Sequence, residues 1–296
     1  MRYSRLKRKK TKQRYATFIL VVVLIFAIIY VISAGTIGKF VSNIISPILS
    51  SFDKGSTDTP TAPPEDDPLL TISDKSNEGV VKITDTIKAN TLSMKAIQMG
   101  AFTANENAGV FADDLRTKGG AGYIIEDTYF RVLAIGFQSQ EDAVKVREQL
   151  KVDGIESQVY EITSAGASMQ ITATENNVSA IKSAFATWEE KYIALEKVLK
   201  DLDSSSIAAS DAYKIMEEFK GVIDAKRDEL SGLAAVQDNN PILTGLLELY
   251  QSGSKSFEDI LAESSTNKVA ISSKIKYTYI EMMMKYKDYM EKITKS

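Results

Sequence analysis

MKAIQMGAF, Met94–Phe102, opens a segment that closes with SQVYEIT, Ser157–Thr163, and the two halves of that segment resemble each other. The first half reads GAFTANENAGVFADDLRTKGG and the second GFQSQEDAVKVREQLKVDG. With Phe102 set against Phe137, Ala108 meets Ala143, Leu115 meets Leu150 and Gly119 meets Gly154. One offset that serves every one of these positions predicts a single supersecondary unit used twice. In each copy a turn residue able to cap a helix, Asn105 or Ser139, follows an apolar stretch. Ala143, Val146 and Leu150 then recur at helical spacing, as do Ala108, Phe111 and Leu115. Gly119 and Gly154 stand where a left-handed residue ends a helix. Apolar strands follow each glycine. The order strand, helix, strand, strand, helix, strand predicts an α+β unit: a small four-stranded antiparallel sheet with two helices on one face, a split βαβ arrangement like that of RNP domains.

Three motifs stand out in it: QMGAF at Gln98–Phe102, YFRVLAIGF at Tyr129–Phe137 and SQEDA at Ser139–Ala143. In combination they resemble the SPOR (sporulation-related repeat) family, over residues 91–165. Ile135 fills a position where the family often has glycine. The resemblance implies binding to peptidoglycan, often to glycan strands stripped of their stem peptides. Such strands accumulate at division and sporulation septa.

Strand alternation names the binding residues. With Ile97 and Met99 turned to the helices, Gln98 faces the open side of the sheet. With Val132 and Ala134 inward, Arg131 and Leu133 face the same open side, and Phe130 points away from it. Gln and Arg supply hydrogen bonds to sugar hydroxyls and acetamido groups. Tyr123, Tyr129 and Phe130 are candidates to stack on sugar rings. Phe102 and Phe137, symmetric ahead of both helices, are expected in the core.

The flanks set the context. Residues 1–52 carry nine Lys/Arg and no acid, while the rest of the chain is net acidic, which makes nucleic acid a poor partner. Residues 1–15 read as a basic cytoplasmic segment. Residues 16–37 are 22 in a row without a charge, and a bilayer core needs about 20 apolar residues as a helix. The basic segment before them places the N-terminus inside and the later domains outside, in a single-pass protein of the bacterial cytoplasmic membrane. Residues 38–90 read as a juxtamembrane segment and a linker, with DKGSTDTPTAPPEDDP (Asp53–Pro68) unable to build a core. A short strand is expected near Val80–Ile83, and another at Met169–Thr174 on the edge of the domain sheet.

Residues 166–296 read as an antiparallel bundle of about four helices. Ile181, Phe185, Trp188, Tyr192, Leu195, Leu199 and Leu202 form one heptad stripe, and Ile275, Tyr279, Met282, Tyr286, Tyr289 and Ile293 another. Asn240-Pro241 marks a helix start. The bundle is the place for divisome or sporulation protein partners. The whole layout is similar to that of the stage II sporulation protein B family, which implies a septal role. No catalytic residue, metal or cofactor is called for. The chain lacks both Cys and His, which excludes thiol catalysis and histidine-ligated zinc amidase chemistry. A glycan-cleaving enzyme built on carboxylates and a protein-interaction scaffold without glycan binding are the alternatives. An RNA-binding module is disfavoured because FRVLAIGF lacks the RNP1 pattern.

Overall fold

The duplicated segment folds as its pattern demands. The structure, a computed structural model, describes residues 69–73, 81–236 and 241–294. Strands β1 (Leu69–Ser73) and β2 (Ile83–Ala89) precede β3 (Ser93–Phe102), α1 (Asn105–Thr117), β4 (Tyr123–Glu126), β5 (Phe130–Phe137), α2 (Gln140–Val152) and β6 (Gln158–Thr163). β7 (Ala167–Ala173) leads into α3 (Glu175–Asp203), α4 (Ala209–Val236), α5 (Pro241–Leu261) and α6 (Lys268–Thr294). β3 to β6 form one antiparallel sheet in the order β4-β5-β3-β6.

Local signals account for the helix ends. Ser139 accepts a hydrogen bond from the Asp142 amide and caps α2. Asn105 is not a cap: it is the first helical residue of α1, and Ala104 precedes it with no side-chain cap. Gly119 and Gly154 adopt φ of +86° and +75°, the left-handed conformation that lets the chain leave α1 and α2 without a Cβ clash.

One face of the sheet buries Ile97, Val132, Ala134, Ile135 and Phe137 under α1 and α2. The other face is not open along its length. Met94, Ala96, Leu133 and Ile162 belong to the same apolar core as Trp188 and Tyr192 of α3 and Tyr279 of α6. Helix α6 packs across β3, β4, β5 and β6. The sheet therefore sits between two helical layers, and the heptad stripes of α3 and α6 bury themselves partly on it. The Met282–Met283 pair lies fully in this core.

Two expectations need correction. The strand at Met169–Thr174 does not extend the domain sheet. β7 pairs parallel with β1 and antiparallel with β2 in a separate three-stranded sheet. Its alternating burial, with Met169, Ile171 and Ala173 sealed, turns one face toward α3. The fold class also changes: the membrane-spanning helix expected over 16–37 lies outside the described residues, and no helix among the described residues is long and apolar enough to cross a membrane. What the described residues build is two sheets joined by a helical layer.

Polar contacts pin that layer. Lys276 Nζ lies 2.8 Å from Asp203 Oδ2 with both side chains 3% exposed. It also donates to the Gly119 carbonyl at 3.0 Å, just past the end of α1. Ser272 Oγ donates to Asp203 Oδ1 at 2.7 Å, and Ser273 Oγ to the Gly120 carbonyl at 2.8 Å. Removing one partner of such a buried pair strands the other charge. Lys276→Met is therefore expected to lower the unfolding free energy by about 3–5 kcal/mol, read from urea unfolding of the full-length chain. A fragment cut to residues 91–165 bares Met94, Ala96, Leu133 and Ile162, and is expected to self-associate in analytical ultracentrifugation.

Candidate functional site

The β4–β5 hairpin and the ends of β3 and β6 form the half of the sheet face that carries the polar candidates. The register explains the arrangement. Ile97 pairs with Ile135, Gln98 with Leu133 and Gly100 with Val132, so Ala134 and Met99 are each an extra residue in a bulge. After these bulges Ala101 sits opposite Arg131 and Phe102 opposite Phe130. On β6, Gln158 pairs with Gln98 and Tyr160 with Ala96.

Arg131 is the hub. Its Nε donates to Asp127 Oδ2 at 2.7 Å and its Nη1 to Gln98 Oε1 at 3.0 Å. Its guanidinium carbon lies 5.6 Å from the Tyr129 ring centre and 5.3 Å from that of Tyr160. The Tyr160 hydroxyl reaches Asp127 Oδ2 at 3.4 Å. Asp127 shapes the hairpin as well, accepting from the Tyr129 amide at 2.8 Å. The guanidinium beside Asp127 holds that carboxyl below its usual range, and the same contact raises Arg131. A guanidinium has five N–H donors. Two are used here, which leaves donors on Nη1 and Nη2 beside two tyrosine rings.

The sequence candidates divide. Gln98, Arg131 and Tyr129 come together, Tyr129 exposed and Gln98 buried beneath the guanidinium. Leu133 is fully buried under the helical layer, and its place in a ligand-contact set is corrected. Tyr123 is likewise covered: its ring packs on Tyr277 of α6 at 5.0 Å, and burial pushes its phenol up. Phe130 points to the opposite face, against the core beneath α1 and α2. Tyr160 and Asp127 were missed. Tyr160 shares one strand face with Gln158 and Ile162, a readable signal, but its meeting with Arg131 spans β3 and needs the strand order. Asp127 is a turn residue, and that it also holds Arg131 shows only in three dimensions.

A donor fork between two aromatic rings, with amides alongside, suits an uncharged ligand rich in hydroxyl and amide groups. The family comparison agrees with that chemistry: residues 96–161 match the SPOR domain family. Residues 96–161 are a SPOR domain. SPOR domains bind peptidoglycan. No curated protein and no solved structure matches the chain.

The sign of the Asp127 shift sets a pH expectation. Its folded value lies below the usual 3.8, so the Arg131 contact is complete above 3.8 and weakens as pH falls through the lower folded value. Carbon-detected NMR is expected to find the Asp127 carboxyl titrating below 3.8. Asp127→Asn is expected to loosen the Arg131 guanidinium, seen as faster exchange of its Nε proton.

Proposed function

We propose that this chain is a non-enzymatic cell-wall binding protein whose SPOR domain holds denuded glycan strands on the open half of its sheet. The single observation that carries the reading is the Arg131 fork held between Tyr129 and Tyr160 by Asp127 and Gln98. Tyrosine rings offer flat apolar platforms for the C–H faces of sugars, and the guanidinium donates to acetamido or hydroxyl oxygens. Gln98 acts behind Arg131 and fixes its angle. Gln158, exposed on the same side of β6, extends the face.

The localisation in this proposal rests on sequence. The apolar run 16–37 behind its basic segment assigns the chain to the bacterial cytoplasmic membrane, with the SPOR domain outside. The acidic, Pro-rich stretch Asp53–Pro68, read from sequence as a linker, lies outside the described residues. Action at the septum, in division or sporulation, follows from where denuded strands accumulate. The layered helices supply surface for divisome or sporulation partners.

The test is sacculus retention of the full-length chain in mild detergent, on walls with and without amidase pre-treatment. Retention is expected to rise on treated walls. Arg131→Ala and Tyr160→Ala are each expected to weaken it by about tenfold, the loss of one charge-assisted contact or one ring platform. Leu133→Ala, by contrast, is expected to lower stability by about 2–5 kcal/mol without a specific loss of wall affinity in the folded fraction. Equal recovery of wild type and Arg131→Ala from both wall types would replace the glycan reading with that of a protein-interaction scaffold.

A further inference from the structure

A second concave surface lies between α5 and α6, away from the Arg131 hub. It consists of two clefts, of about 450 and 150 Å³, that share Ser252 and so form one groove along the helix pair. Tyr277 lines the larger cleft, its ring braced by Tyr123 at 5.0 Å. Glu281 lines it too, turned across the groove to accept from Ser256 Oγ at 2.6 Å. Glu248, Lys285 and Asp288 line the smaller one, all exposed.

At the larger cleft Lys255 pairs with Asp259 at 3.0 Å, but the charges along the α6 wall beyond it are held apart. Lys285 stands four residues after Glu281 and three before Asp288, spacings at which helical ion pairs form. Elsewhere on α6, Lys287 and Glu291 make such a pair, and Lys220 and Asp224 do so on α4 at 2.6 Å. Lys285 pairs with neither neighbour, and Glu248, Glu281 and Asp288 likewise form no ion pair among the described residues. Tyr277 adds a half-buried phenol, which burial and the nearby Glu281 keep protonated as a donor. The groove thus offers, in its smaller cleft, Lys285 with Glu248 and Asp288 in no ion pair among the described residues, and, in its larger one, the Tyr277 phenol beside Glu281.

We propose that this groove binds a short zwitterionic peptide, with Lys285 taking a ligand carboxylate, Glu281 and Asp288 an ammonium, and the Tyr277 hydroxyl a peptide carbonyl. Given the wall-binding reading above, on which the choice rests, the peptide class is the stem peptide of peptidoglycan, which carries free carboxylates and, where it holds a diamino acid, a free amine. The SPOR domain would then hold bare glycan while the helical layer holds neighbouring strands that retain their peptides.

The experiment is isothermal titration of the full-length chain in detergent with a synthetic stem tripeptide, Ala–γ-Glu–diamino acid, and with the same peptide amidated at its carboxyls and acetylated at its amines. The free tripeptide is expected to bind and the blocked one not. Lys285→Glu is expected to weaken binding by about tenfold or more, as loss and reversal of a charge-assisted contact. Glu281→Gln, which keeps the hydrogen bond from Ser256, is expected to weaken it less. Neither variant should change retention on denuded walls, whereas Arg131→Ala should weaken that retention by about tenfold and leave the peptide titration intact. Lys285 is exposed, and an unchanged thermal unfolding midpoint verifies that its variant folds. No heat of binding with wild type, or binding indifferent to both substitutions and to blocking, overturns the proposal. The glycan reading stands or falls separately on the Arg131 arm.

Discussion

Burial of the second face of the SPOR sheet is the constraint on which the rest of the molecule depends. A four-stranded sheet with helices on one side leaves an apolar half-face in Met94, Ala96, Leu133 and Ile162. Water exposure of that patch costs about 25 cal/mol per Å², and α6 removes it. The covering helix is fixed by a charge that cannot be left alone: Lys276, buried against Asp203 and the Gly119 carbonyl. A buried pair gives little net stability compared with an apolar pair of the same shape. It does fix position, because a shift of α6 would separate the two charges in a low-dielectric layer. The tyrosines follow suit, with Tyr192 stacked on Tyr279 at 4.8 Å and donating to the Ser93 carbonyl at 3.1 Å.

This cover decides what remains for a ligand. The region over Leu133 and Tyr123 is filled by the protein itself. The hairpin end, with Arg131, Tyr129, Tyr160 and Asp127, is left to solvent. The two bulges at Met99 and Ala134 matter here, since they bend the strands between the covered and uncovered halves. The same helix that closes half of the face forms, on its far side, one wall of the α5–α6 groove. Tyr277 links the two regions, touching Tyr123 of the SPOR sheet while lining the groove.

Much of the local structure was legible. The Phe102/Phe137 offset placed both helices and both left-handed glycines, because helix termination is a short-range matter of backbone conformation. Alternation put Ile97, Val132 and Ala134 inward and Gln98 and Arg131 on the other face, because strand period is fixed by the pleat. The heptad stripes of α3 and α6 gave the buried positions Trp188, Tyr192, Tyr279 and Tyr286. Illegible was what those stripes pack against. A stripe of Leu, Tyr and Met reports that a face is buried and not which face buries it, so Leu133 read as free to meet sugar while α6 already lay on it. Tyr160 and Asp127 escaped for the same reason, being brought to Arg131 by strand order and a hairpin.

By itself, then, the sequence determined the periodic content of this protein: a duplicated strand–helix–strand unit and four amphipathic helices, since each rests on spacings of a few residues along one chain. It named Gln98, Tyr129 and Arg131 only among six candidates, and the structure sets them apart from Leu133, Tyr123 and Phe130. Only the tertiary structure decided that the sheet is covered on both faces, that β7 joins β1 and β2 instead of the domain edge, and which half of the SPOR face stays open. Those outcomes depend on contacts between residues far apart in the chain, such as Lys276 with Gly119 and Asp203. Their physical origin is competition for one apolar surface, which no local pattern records.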